Sequence, residues 1–291
     1  MSAFEKASNF TRPLVVSTRH VDGTVRTSCG SFIVINDEGW VMTAGHMFDS
    51  FAAFQTDQKK IREVRELNAS RDSVQGAPGN ASRMDPGWIT NHSFWWSWDE
   101  AKLANAYVNR QIDLCVGRLE PFNPKWVREY PVFRDPNSLR IGTSVCRLGF
   151  PFAGVESSFD DSLGVFRLNR AALPIPFFPN DGIHSKTTNR GQSADRGIDM
   201  LYVETSTPGL TGQSGGPIVD RDGKVYAMQV QTSHAPLGFQ PSVEIDGKRV
   251  VENQFINIGI GVHTKTIVDV LRSQNVRFRM DSDELGFRIL D

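Results

Sequence analysis

The sequence predicts an all-β protein of two antiparallel barrels or sandwiches, closed by one short C-terminal helix. Three observations carry that expectation: short β-rich runs recur at turn-separated intervals in both halves, a proline-rich passage divides them, and one helix-period pattern lies near the end. With 291 residues the chain can bury a sizeable core, and its length fits one functional unit built of two barrels.

In the first half the runs LVVS, SFIVIN and WVMTA are separated by His20-Val21-Asp22-Gly23 and Asn36-Asp37-Glu38-Gly39, both with hairpin-turn chemistry. From about Gln55 to Arg110 this rhythm breaks. The stretch is charged at first, then Gly/Asn/Ser-rich near Gln75 to Ser82, then dense in aromatics at Trp88, Phe94, Trp95, Trp96 and Trp98, and it reads as an insertion. Its tryptophans fit either a docking surface or packing against the first barrel. Strand-like runs resume at Ile112 to Leu119, and PFNPKWVREYPVFRDPN then reads as an ordered connection, since proline supplies no N–H to a ladder. The expected units are 12–125 and 138–273, with 274–291 as a tail.

The second half offers SVCRLGF, GVFRLN, MLYVETS, GPIVD, KVYAMQVQT and NIGIGV as short strands. Between Leu173 and Met200 the prolines of LPIPFFPNDG and the polar run KTTNRGQSADRG predict a long loop. Ile267, Val268, Val270 and Leu271 have the spacing of an amphipathic helix from about Thr264 to Gln274.

Composition excludes several function classes. Thirty-two basic against thirty-three acidic residues provide no general field for nucleic acid or anionic lipid. No run approaches the roughly 18 apolar residues of a membrane-spanning helix, so neither nucleic acid nor membrane is expected as a partner. The opening MSAFEKASNFTRPLVVSTRH places Glu5 and Lys6 where a signal peptide is apolar, and a cytoplasmic protein is expected. Cys29, Cys115 and Cys146 lack zinc or redox spacing and read as reduced, mostly buried thiols. No metal or cofactor is expected.

The chemistry concentrates in three segments. In Thr211-Gly212-Gln213-Ser214-Gly215-Gly216-Pro217 a serine is flanked by glycines, which lets the backbone turn tightly and bring peptide N–H groups near a substrate carbonyl. Alone, such a segment is as often a plain turn. Val41-Met42-Thr43-Ala44-Gly45-His46 puts a histidine after a strand that ends in small residues, and Ile112-Asp113-Leu114-Cys115-Val116 plants a carboxylate in an apolar strand, where an imidazole is a natural partner. The order His46, Asp113, Ser214 is that of one known triad arrangement, and differs from subtilisins and α/β-hydrolases.

With these segments in view, the chain resembles the trypsin-like, chymotrypsin-fold serine proteases, and among them the protease domain of the high-temperature-requirement family. TAGH at His46, IDLCV at Asp113, VCRLGFPFAG at 145–154, TSTPGLTGQSGGPIVDRDGKV at 205–225 and GIGVHTKTIVDVL at 259–271 carry the likeness, from roughly Leu14 to Leu271. It implies two antiparallel six-stranded β-barrels of the chymotrypsin type. It also implies a serine endopeptidase using His46, Asp113 and Ser214, with the N–H groups of Gly212 and Ser214 as the oxyanion hole. By the same likeness Pro208 lies near the base of the specificity pocket and Gln229, Val230, Gln231 and Thr232 form its edge, suited to small apolar or uncharged polar groups.

The sequence departs from the family at identifiable places. Gln213 replaces the aspartate that receives a new N-terminal amine in secreted trypsins, and Met47 stands where a disulfide partner of Cys29 would be, which fits a reducing compartment. Gly45 replaces the usual alanine. The residues after the closing helix are too few for a PDZ domain. His263, in GIGVHT, reads first as packing and second as a pocket residue. A protein or peptide substrate is expected, with a protein activator as a further partner; the oligomeric state is not legible. The competing readings are a catalytically silent binding protein on the protease fold, and an esterase, which the β-rich pattern disfavours.

Overall fold

The computed structural model describes residues 2–72, 82–239, 242–251, 255–282 and 287–288. After helix α1 (Ala3–Phe10), six strands build the first sheet: β1 (Thr11–His20), β2 (Val25–Val34), β3 (Trp40–Ala44), β4 (Ile89–Trp95), β5 (Lys102–Asn109) and β6 (Leu114–Glu120). They are ordered β4-β1-β2-β3-β6-β5, and all pairs are antiparallel. Both expected hairpin turns form, with Gly23 and Gly39 at φ +85° and +86°.

A connection carrying β7 (Val132–Phe133) leads to β8 (Ser144–Gly149) and a side hairpin of β9 (Ser157–Asp160) and β10 (Val165–Leu168). Then follow β11 (Phe178–Gln192), β12 (Asp199–Thr205), β13 (Pro217–Asp220), β14 (Val225–Pro236), β15 (Ser242–Ile245), β16 (Lys248–Val251) and β17 (Phe255–His263). Six of these close a ring, β13-β8-β11-β12-β17-β14, because β14 pairs back onto β13. Short strands β18 (Phe278–Met280) and β19 (Phe287–Arg288) extend this sheet through β7. The two-barrel, mostly β architecture expected from the sequence is therefore the one observed.

One core runs through both sheets, from Phe32, Ile33 and Met42 to Leu148, Met228 and Val262, all fully buried. The closing helix α3 (Thr264–Ser273) buries Ile267, Val268, Val270 and Leu271 against it. His263 is 5% exposed and caps this helix, its Nδ1 accepting the Lys265 N–H at 3.0 Å, so its role here is structural. Burial, with His184 and Lys265 adding to it, pushes the imidazole down to about 4. The unfolded chain, with an ordinary histidine near 6.5, then binds more protons than the folded one between pH 6.5 and 4. Stability is complete well above pH 6.5 and falls below it, by about 3 kcal/mol from this group at pH 4. His263→Asn keeps a capping acceptor without the titration, so the slope of the urea midpoint against pH should become shallower in that window.

Two expectations from the sequence are corrected. The stretch 55–110 is not an insertion outside the sheet but contains most of helix α2 (Asp49–Asp72) and both β4 and β5. Helix α2 buries few apolar groups, Ile61 among them, and is anchored by polar bonds to β4: Ile89 N–H to Asp57 Oδ2 (3.0 Å), and Gln58 Nε2 to the carbonyls of Ile89 and Thr90 (3.1 Å each). The glycine-rich stretch from Gln75 up to residue 81 lies outside the described residues. Of the tryptophans, Trp96 is buried against Phe32 (5.2 Å) and Trp98 stacks on Trp126 (4.7 Å), which is packing rather than open display. Trp95, Trp98 and Trp126 also line a cavity of about 850 Å³. The loop expected over 173–200 is largely strand β11, because backbone pairing to β8 and β12 does not require its outward side chains to be apolar.

Candidate active site

The site lies in the cleft between the two sheets. His46 follows β3 in a single 3₁₀ turn, Gly45–Phe48, and Asp113 holds it twice. The His46 backbone N–H donates to Oδ1 at 2.7 Å, and Nδ1 bonds Oδ2 at 2.8 Å. An ionised carboxylate only accepts, so Nδ1 carries the hydrogen and Nε2 keeps its lone pair.

Asp113 is not inside a strand, as the sequence suggested, but in the turn just before β6, at φ +65°. Aspartate tolerates this left-handed conformation better than most residues. The turn is held from both sheets. Asn109 Oδ1 accepts the Ile112 N–H (2.9 Å), and Gln111 Oε1 accepts the Ala194 N–H (2.7 Å). Buried Tyr202, on β12 of the second sheet, directs its hydroxyl at the carbonyls of Gln111 (3.1 Å) and Ile112 (3.0 Å).

Ser214 sits on the loop between β12 and β13. The carbonyls of this loop are turned inward and bonded: Gly212 O accepts from Phe150 N–H (3.0 Å) and Ser31 Oγ (2.8 Å), and Ser214 O from Ser31 N–H (2.8 Å). Among the described residues the N–H groups of Gly212 and Ser214 have no acceptor. Gly212 has φ +101°, and a Cβ there would lie 2.4 Å from Phe150 O; at Gly215, φ +84°, it would lie 2.1 Å from Ser31 O and 2.9 Å from Ala44 N. The residue after Ser214 thus abuts the end of β3, two positions before His46. The Ser214 hydroxyl makes no hydrogen bond among the described residues, to His46 or otherwise.

Gln213 is fully buried and braces the loop without any charge. Its Oε1 accepts the Leu210 N–H (2.9 Å), and its Nε2 donates to Asn180 Oδ1 (2.7 Å) and Phe178 O (3.2 Å).

Of the expected pocket residues, Val230 and Gln231 line a cleft of about 570 Å³ together with His46, Asp113, Arg110, Arg190 and Tyr202. Arg110 pairs with Asp49, and Arg190 lies over the Tyr202 ring at 4.4 Å. Pro208, Gln229 and Thr232 gather instead around Gly209. The Gln229 side chain is buried against the Gly209 Cα, where a Cβ would fall 2.1 Å from Nε2. Thr232 Oγ1 donates to Gly209 O (2.6 Å). Beneath them is Arg147, 1% exposed, bonded to Pro208 O (2.9 Å) and Thr207 O (3.0 Å), with no carboxylate in ion-pair contact among the described residues. Desolvation lowers its guanidinium to about 10. Arg147 and Tyr202 were not singled out from the sequence. An arginine inside the apolar run SVCRLGF was a usable signal for the first; nothing local marked the second.

Residues 30–228 match the trypsin-like peptidase domain. The chain belongs to the trypsin-like peptidase family. Among solved structures, this peptidase is similar to the HtrA-type protease AlgW with decapeptide (15% identity, TM-score 0.48, 93% of this chain and 66% of that one) and to the same protease with tripeptide (15% identity, TM-score 0.46, 93% and 62%). The peptidase therefore spans under two thirds of the length of these chains.

Proposed function

We propose that this serine endopeptidase cleaves protein substrates with His46, Asp113 and Ser214 as its triad. The observation that carries the reading is the pair of hydrogen bonds that His46 donates to Asp113, which leaves Nε2 as an acceptor without a partner among the described residues, beside the glycine-flanked Ser214 loop. Ser214 Oγ attacks the carbonyl carbon of the scissile peptide and gives its proton to His46 Nε2. The carbonyl oxygen, now negative, takes hydrogen bonds from the N–H groups of Gly212 and Ser214. Asp113 stabilises the imidazolium, which passes the proton to the leaving amine as the C–N bond breaks. Water repeats the sequence on the acyl-enzyme. Catalytic hydrogen bonds are often long before substrate binds, and the Ser214 to His46 bond closes in the complex.

The uncharged bracing of Gln213 supports a loop that needs no newly cut N-terminus. The free thiols Cys29, Cys115 and Cys146 support a reducing, intracellular setting, with selectivity supplied by a protein partner. The test is covalent labelling by a fluorophosphonate, read by intact mass. Wild type should gain one adduct on Ser214, Ser214→Ala none, and His46→Ala should react at least about 10³-fold more slowly. A folded wild type that stays unlabelled would instead be a silent peptidase-fold binding protein.

A further inference from the structure

Asp113 lies in the hairpin turn 110–113 between β5 and β6, and Asn109 stands at the base of that turn, opposite Leu114. Asn109 is 5% exposed, and its side-chain amide is bonded at both ends. Oδ1 accepts the Ile112 N–H (2.9 Å), one residue before Asp113, while Nδ2 donates to Tyr107 Oη (3.0 Å) and to Asp195 Oδ1 (2.9 Å). Asp195 belongs to the second sheet's loop 193–198, between β11 and β12, and its other carboxylate oxygen accepts the Tyr107 hydroxyl. The adjacent N–H, of Ala194, is the one that Gln111 Oε1 accepts. The loop has anchors of its own. Buried Ser193 donates its N–H to Ile198 O (2.9 Å) and accepts the Ile198 N–H on Oγ (3.2 Å), and Arg196 reaches Ser273 O at the end of α3 (3.1 Å). The Tyr107 hydroxyl holds the Asp195 carboxyl below the usual carboxylate range, so at neutral pH its oxygens only accept. With acceptors on one side and the Ile112 N–H on the other, one orientation of the Asn109 amide satisfies every partner.

We propose that Asp195 is a positioning residue for the triad: by orienting the Asn109 amide it holds the 111–112 peptide, and through it the turn that presents both Asp113 oxygens to His46. This rests on the peptidase reading above. Asp195 makes no hydrogen bond to His46 or Asp113 and acts through Asn109. Asp113 sits at φ +65°, a backbone conformation that persists where surrounding bonds over-determine it. Without the Asp195 carboxylate, Nδ2 keeps a single acceptor, Tyr107 Oη, and the amide is free to turn over. A turned amide sets its NH₂ against the Ile112 N–H, donor against donor, and the bond that ties the turn to β5 is lost. The Asp113 carboxylate then no longer has a fixed place relative to Nδ1, and the imidazole is no longer aimed at Ser214.

The test is the rate of fluorophosphonate labelling of the full chain, separated into a maximal rate and a half-saturating concentration, with cleavage of dye-labelled casein as a second measure and a thermal melt on each sample. Asp195→Ala should lower the maximal labelling rate and the casein rate by about 10-fold, with the half-saturating concentration within about 2-fold of wild type. Asp195→Asn keeps an acceptor for Asn109 Nδ2 and removes the charge, so it should stay within about 3-fold. In the Asp113→Asn background, Asp195→Ala should cost less than about 2-fold, because a residue that acts through Asp113 then has nothing left to position. Four results overturn the inference and leave the peptidase reading intact: Asp195→Ala within 2-fold of wild type, equal losses in the alanine and asparagine variants, full additivity with Asp113→Asn, or a loss no larger than the unfolded fraction of the sample. A folded wild type that neither labels nor cleaves overturns the underlying reading instead.

Discussion

Asp113→Asn should lower kcat for peptide hydrolysis by about 10⁴-fold with little change in KM or thermal midpoint. The reason lies in the two bonds that Asp113 makes. Its Oδ1 accepts the His46 backbone N–H and its Oδ2 accepts from Nδ1. An asparagine has one acceptor oxygen. If that oxygen keeps the backbone N–H, the amide NH₂ faces Nδ1, which must then give up its hydrogen to accept. The hydrogen moves to Nε2, and the atom proposed to take the Ser214 proton already carries one. The volume and the turn at φ +65° suit asparagine as well as aspartate, so folding is preserved. Steady-state kinetics with a thermal melt on the same sample checks this. A variant within 10-fold of wild type would show that Asp113 does not set the tautomer.

With its N–H in the proposed oxyanion hole, Gly212→Ala should reduce kcat and the fluorophosphonate labelling rate together by about 10²- to 10³-fold, the usual loss for one such donor. At φ +101° an alanine is strained, and its methyl would sit 2.4 Å from Phe150 O and 2.8 Å from Pro151 Cα. Relief requires rotation about the Gly212 N–Cα bond, which turns the 211–212 peptide, or a lift of the loop off Phe150, and either change re-aims the Gly212 N–H. Gly45→Ala is the control. Its methyl would lie 3.0 Å from Leu114 N, a contact relieved by a few tenths of an ångström, so the same assays should move far less. Equal losses in both variants would assign the Gly212 effect to general destabilisation of the cleft.

Much of the site was legible because its parts are local. The Gly-x-Ser-Gly-Gly run determines where the chain reverses and which N–H groups face outward, since only glycine enters those φ values cheaply. The small residues Thr43-Ala44-Gly45 before His46 and the apolar run after Asp113 likewise declare themselves over five or six positions. Helix α2 was less legible: its exposed charged residues carry no apolar stripe, and its anchors, Asp57 and Gln58, bond a strand about 32 residues away. Strand β11 was hidden for a related reason, its polar outward face concealing a backbone that pairs first with β8, over 178–183, and then with β12, over 184–192.

What the sequence determined by itself is the all-β class, the hairpin turns and the closing helix, and it nominated the residues proposed for catalysis, all of which follow from side-chain periodicity and backbone freedom within short windows. The tertiary structure alone decided how those residues are held. Tyr202 reaches from the second sheet to the turn of Asp113, Ser31 of the first sheet fixes the Ser214 loop of the second, and Arg147 lies beneath Pro208 with no carboxylate in ion-pair contact among the described residues. It also decided that β14 beyond Gln229 pairs on one side only among the described residues. Such contacts join residues about 60 to 180 positions apart, and no local pattern encodes them, because each depends on where closure of the two barrels brings the chain back upon itself.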